Sequence, residues 1–165
     1  MLLFLYLFAI VCANLLIVRF GAGVSILNAF LFIGLDLSSR DALHERWQHK
    51  HLALKMLGLI GSGSILSAIF NLGAFHIAVA SFVSFACAGI TDTLVYTKML
   101  KQPRLLRMNG SNIASAAVDS LIFPMIAFGF PVLWGVVVGQ FFAKVGGGFL
   151  WSLWLRRVGY EHPER

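Results

Sequence analysis

Six apolar stretches account for most of the chain: Met1 to Val18, Phe20 to Leu37, Leu52 to Phe70, Phe75 to Val95, Ile113 to Phe130 and Val132 to Leu155. A helix rises about 1.5 Å per residue, so each stretch is close to the length that crosses a hydrocarbon layer of about 30 Å. Only 12% of the residues are charged and 59% are apolar, whereas soluble domains carry about 25% charged residues. That shortage of polar surface excludes a soluble enzyme, a disordered tail, a collagen-like fibre and a disulfide scaffold. The sequence reads as all-α: a polytopic membrane protein of six transmembrane helices in a single domain over residues 1–165. No Pro/Ser linker, low-complexity tract or internal repeat divides it. The first stretch has no Lys or Arg before it and no A-x-A-like site after it, so it reads as a retained helix rather than a signal peptide.

Charge orients the six stretches. If they alternate, the N-terminus, the 38 to 51 loop, the 96 to 112 loop and the C-terminal tail share one side. Of the 13 Lys and Arg residues, that side holds eleven: Arg40, Arg46, Lys50, Lys55, Lys98, Lys101, Arg104, Arg107, Arg156, Arg157 and Arg165. Arg19 alone lies on the other side. The positive-inside rule then puts both termini in the cytoplasm and the protein in the cytoplasmic (inner) membrane. The net charge of +6 therefore serves topology, and no nucleic-acid partner is expected. Trp134, Trp151, Trp154 and Tyr96 fit aromatic anchoring at the two interfaces. Cys12 and Cys87 lie in apolar runs and read as small packing residues.

Ionisable groups inside apolar stretches carry the functional signal, because each costs at least about 2.5 kcal/mol at membrane depth and so faces a cavity or a partner. Three qualify: Asp92, Asp119 and Lys144. Similar depths favour pairing Asp119 with Lys144, either as a binding group or as an ion pair that only fixes register. Asn112, Ser115, Asp119 and Phe123 recur at helical spacing and share one face, followed by Pro124, which removes a helix hydrogen bond. Ser81, Ser84, Ala88 and Asp92 form a second stripe ending at Tyr96. Single serines in such helices usually bond back to their own backbone. Asn28 and Gln140 add amides at depth. Together these groups could bind a flat, hydrogen-bonding solute in an apolar shell, with a carboxylate accepting from adjacent N–H donors such as those of a guanine-like ring.

The segment Gly34 to Lys50 is the most polar. Arg40, Asp41, His44 and Glu45 could make spacing-four contacts on a short interfacial helix capped by Ser38 or Ser39. His44, His49 and His51 with Glu45 lack a recurrent zinc spacing, so no metal site is expected. His76 reads as an interfacial residue. Gly58, Gly61, Ser62, Gly63, Gly135 and Gly139 offer small faces for close helix approach. Gly146, Gly147 and Gly148 admit two readings, tight packing or a broken helix beside a cavity.

Three blocks, GLDLSSRDALHERW (34 to 47), ITDTLVYTKM (90 to 99) and RMNGSNIASAAVDSLIFPMIAFG (107 to 129), resemble the VUT family of vitamin uptake transporters. In the third, Ser111, Asn112, Val118, Asp119, Ser120 and Phe123 match the family's S-N-x-x-x-x-x-V-D-S-x-x-F. In the second, Asp92, Val95 and Tyr96 match its D-x-x-V-Y, and in the first Glu45 takes its acidic position behind Arg40 and Asp41. The family includes queuosine precursor transporters, which import 7-cyano-7-deazaguanine and its aminomethyl relative. The resemblance implies an S-component-like six-helix bundle that moves a small solute inward. The resemblance and the residues read at depth together assign Asp119, Asn112, Ser115, Phe123, Asp92, Asn28, Gln140 and Lys144 to the substrate, and Arg40, Asp41, Glu45 and Tyr96 to a cytoplasmic gate. Of the substrate residues, Ser115, Asn28, Gln140 and Lys144 rest on their spacing and depth alone. No cofactor is implied; the partners are the solute, the bilayer and either further copies of the chain or an energy-coupling partner. Two alternatives remain: a substrate-binding S-component of an energy-coupling-factor transporter, whose ATPases this chain lacks the phosphate loop to replace, and an intramembrane aspartyl protease. The second lacks a glycine beside Asp92, in Gly89-Ile90-Thr91-Asp92.

Overall fold

The computed structural model describes residues 2–47 and 52–157. They form α1 (Leu2–Phe20), a 3-10 turn (Gly21–Val24), α2 (Ser25–Asn28), a π-helical turn (Ala29–Ile33), α3 (Gly34–Trp47), α4 (Leu52–Phe70), a second 3-10 turn (Leu72–Ala74), α5 (Phe75–Lys98), α6 (Arg104–Phe128) and α7 (Trp134–Arg157). No strand occurs among the described residues. Four stretches are long and apolar enough to cross a membrane: Leu3–Ser39, Leu72–Lys98, Asn109–Phe128 and Trp134–Leu155, with a shorter apolar helix at Leu54–Phe70.

The first of these stretches is not one rod. Gly21 takes φ +64°, a conformation that suits glycine, and the chain reverses there. Asn28 Nδ2 then donates to the Ala13 carbonyl at 3.0 Å, although in a straight helix the two residues would stand about 22 Å apart. Leu3–Ser39 is therefore an antiparallel pair, α1 against α2–α3. Around it, α5 and α6 form the most extensive helix pair, α7 packs on α3 and the π-helical turn, and α4 lies against α1 and α5.

The exterior is apolar as well as the core, where Tyr6, Ile10, Ile60 and Leu155 are buried. Phe4, Ile65, Leu72 and Phe142 are exposed while Asn14, Asn28, Gln140 and Lys144 are buried. Lipid tails are as apolar as leucine, so the bundle is held by close packing and interhelical hydrogen bonds rather than by burying apolar surface. The closest approach is between α3 and α7. A Cβ on Gly34 would come within 2.6 Å of the Gly147 backbone, and one on Gly147 would collide with the Phe30 carbonyl. Of the two readings of Gly146 to Gly148, the structure selects tight packing: α7 runs unbroken from Trp134 to Arg157. The irregular helix is the facing one, where the Gly34 N–H reaches back five residues to the Ala29 carbonyl.

Two expected loops are corrected. The 38 to 51 segment is helical as far as Trp47, as the expected short helix requires, but that helix starts at Gly34, so Ser38 and Ser39 are interior rather than capping residues. Ser38 Oγ lies 3.1 Å from the Gly34 carbonyl and 2.8 Å from that of Gly148, tying α3 to α7. The 96 to 112 loop shrinks to residues 99–103, because α6 begins at Arg104. Lys and Arg mark where a helix leaves lipid; its backbone hydrogen bonds can continue beyond that point. The small-residue faces also divide. Gly63 packs on Ile10 and Gly139 on Ile26, whereas a side chain at Gly58 or Gly135 would start more than 4 Å from any neighbour.

Candidate functional site

Where α1, α2, α5, α6 and α7 converge, a cavity is lined by the side chains of Asn14, Asn28, Phe85, Asp119, Phe123 and Gln140, among others. Its free volume is about 20 Å³, room for about one water molecule.

Each polar group reaches this point through a local rule. Asp119 lies on the inward stripe of α6 with Ser115, both buried, as the three-and-four spacing requires. Phe123 follows one turn later and packs edge-on against Phe128, with ring centroids 6.0 Å apart. Gln140 and Lys144 are one turn apart on α7. Lys144 Nζ donates to Gln140 Oε1 at 3.1 Å and to Asp119 Oδ2 at 2.8 Å. The predicted Asp119–Lys144 pair thus exists, with Gln140 as a third member. Pro124 stays inside α6 without ending it.

Asn14 of α1 is the residue that sequence reasoning missed. Its Nδ2 donates to Ser67 Oγ at 3.0 Å, and its Oδ1 accepts from Ser81 Oγ at 2.5 Å, joining α1 to α4 and α5. As an amide within the first apolar run it carried the signal that singled out Asn28 and Gln140. Ser81 consequently bonds across helices, while Ser84 bonds back to the Ser81 carbonyl as expected of a lone serine. Asp36 was also passed over, at the polar end of its stretch; it is buried in α3.

Other expected site residues lie elsewhere. Asn112 and Ser115 share the α6 face but do not line the cavity; Ser115 Oγ bonds the Asn112 carbonyl at 3.1 Å. Asp92 is buried on α5, two turns beyond Phe85, and Tyr96 is half-buried one turn further. Asp119 engages Lys144, and the stripe that holds Asp92 reaches the cavity through Ser81. The side chains of Arg40, Asp41, His44 and Glu45 lie outside the described residues, as do His49 and His51. His76 Nε2 meets the Ile126 carbonyl at 2.8 Å, linking the end of α6 to the start of α5.

An apolar exterior, several helices of membrane length and one inward-facing cluster of amides with an ion pair define a multi-pass membrane protein of the carrier type. The chain belongs to the vitamin uptake transporter family: a family model described as "Putative vitamin uptake transporter" matches residues 7–157. No curated protein and no solved structure was found to match the chain.

Proposed function

We propose that this protein imports a queuosine precursor, a 7-cyano-7-deazaguanine-like deazapurine, and binds it in the cavity between Asn28, Asp119, Phe123 and Gln140. One observation carries the reading: Asn28 Oδ1 and Asp119 Oδ1 are both buried without a hydrogen-bond partner, and both residues line the same cavity. A buried acceptor left unpaired costs about 1–3 kcal/mol, so two at one place mark a site that a ligand with adjacent N–H donors completes. The amide edge of a deazaguanine offers such donors, and Phe123 supplies a ring for its flat face.

Sites for small solutes span about 300–1,000 Å³, so the cavity of about 20 Å³ belongs to a contracted form. Binding widens the cavity along its apolar wall of Ala13, Ile33 and Phe85 and keeps the Asp119–Lys144 contact. Asn112 and Ser115, further along α6, and Asp92, Tyr96, Arg40, Asp41 and Glu45 are assigned to the cytoplasmic exit path. The chain crosses the membrane six times with both termini in the cytoplasm. The Leu3–Ser39 hairpin supplies two legs, and α4, at 19 residues, is about 28 Å long.

The test is uptake of labelled 7-cyano-7-deazaguanine by cells that lack deazapurine synthesis and their own carrier. Accumulation that depends on this chain is expected; its absence with the protein present in the membrane overturns the substrate. Uptake by the purified chain in proteoliposomes then separates a self-sufficient carrier from an energy-coupled S-component.

A further inference from the structure

We infer that Gln140, locked by Lys144, is the specificity-determining residue of this site and presents an N–H donor to a carbonyl or similar acceptor on the solute. The inference rests on the proposed binding site and assigns the polarity of its third corner.

Amides can ordinarily turn end for end, but here the partners fix them. Ammonium groups only donate, so the atom of Gln140 that meets Lys144 Nζ at 3.1 Å is its carbonyl oxygen. Backbone carbonyls only accept, so the atom of Asn28 that meets the Ala13 carbonyl at 3.0 Å is its nitrogen. Ser67 gives its proton to the Gly63 carbonyl at 2.8 Å, so it can only accept from Asn14, and the Asn14 oxygen receives Ser81. Asn28 and Asp119 therefore face the cavity as acceptors. Gln140, whose oxygen is spent on Lys144, has its Nε2 hydrogens to offer. A ligand that satisfies the site carries two donors and one acceptor on one edge, and Gln140 reads the acceptor. Lys144 is a positioning residue: it holds Asp119 Oδ2 and Gln140 Oε1 with one ammonium group and leaves Asp119 Oδ1 open.

The experiment measures competition for uptake of labelled 7-cyano-7-deazaguanine by the unlabelled compound and by its 6-thio analogue. The analogue keeps both N–H donors and weakens only the acceptor. The wild-type protein should prefer the oxo compound by about tenfold, the worth of one hydrogen bond. Gln140→Met, similar in length and without a donor, should bring that ratio close to one. Lys144→Met should lower the ratio because the amide is free to turn, and Lys144→Arg, still a donor to Gln140 Oε1, should restore it. A preference that survives Gln140→Met at normal membrane level reflects the larger sulfur atom alone and overturns the inference, as does a wild-type protein indifferent to the two compounds. Failure of the wild type to take up either compound overturns the substrate reading and this inference with it. Binding of both compounds to detergent-purified Gln140→Met, read by thermal shift, gives the same ratio if the variant reaches the membrane poorly.

Discussion

Lys144 Nζ lies 2.8 Å from Asp119 Oδ2, with the two side chains only 2% and 6% exposed. Removing one member of such a pair strands the other, at about 3–5 kcal/mol, whereas replacing both with apolar groups is close to neutral. Lys144→Met alone should therefore lower the thermal stability of the purified protein sharply, and Lys144→Met with Asp119→Leu should recover most of it without recovering uptake. Strict additivity in this series would mean that the two residues are not coupled.

Asp119→Asn separates charge from shape. The amide oxygen can still accept from Lys144 but no longer balances its charge, so stability should fall by less than in a variant that removes the hydrogen bond as well, and the protein should still insert. Its affinity for the solute should fall by one to two decades, since a hydrogen bond to a charged group is worth about 1.5–3 kcal/mol. Uptake at wild-type apparent affinity would remove Asp119 from the site.

The three consecutive glycines of α7 should respond unequally to alanine. Gly147→Ala places a methyl against the Phe30 carbonyl and forces α7 from the π-helical turn that leads into α3, at about 1–3 kcal/mol. Gly146→Ala meets nothing within 4 Å and should be neutral or stabilising by up to about 1 kcal/mol, since alanine is the better helix former. Melting temperatures of the two variants check the contrast, and equal effects would argue against the α3–α7 contact.

Topology is tested by single cysteines in a variant lacking Cys12 and Cys87. Leu72 and Phe130 are exposed at the ends expected outside, and Gln102 is exposed in the turn expected inside. An impermeant thiol reagent applied to intact cells should label cysteine at the first two positions and spare it at Gln102. The opposite pattern would invert the proposed orientation. Gly129, at φ +74°, is a poor labelling position because a side chain there is strained.

The apolar runs, the ionisable groups at depth and the helical spacing of Ser115, Asp119 and Phe123 were legible in the sequence because each depends on residue type and periodicity alone. So was the opposite sign of Asp119 and Lys144, which made a pair between α6 and α7 economical in a low-dielectric bundle. Helix ends were less legible. Arg104 and Trp47 lie where charge announces water, and a helix does not stop on entering water, so α3 and α6 outrun the apolar segments they contain.

What the sequence by itself determined is therefore a bundle of membrane-length helices with a few polar groups that must find one another. Tertiary structure decided which of them do. Asn14 and Asn28 meet the site only because the chain reverses at Gly21 and brings α2 back along α1, and Asn112 misses the cavity although it shares a face with Asp119. Direction is the physical reason: periodicity says which side of a helix a residue occupies, while the height at which that side meets its neighbours depends on how far helices slide before backbones touch, as Gly34 and Gly147 do. The polarity of Gln140 was settled the same way, by a lysine one turn along α7 whose reach to Asp119 exists only once α6 and α7 are packed.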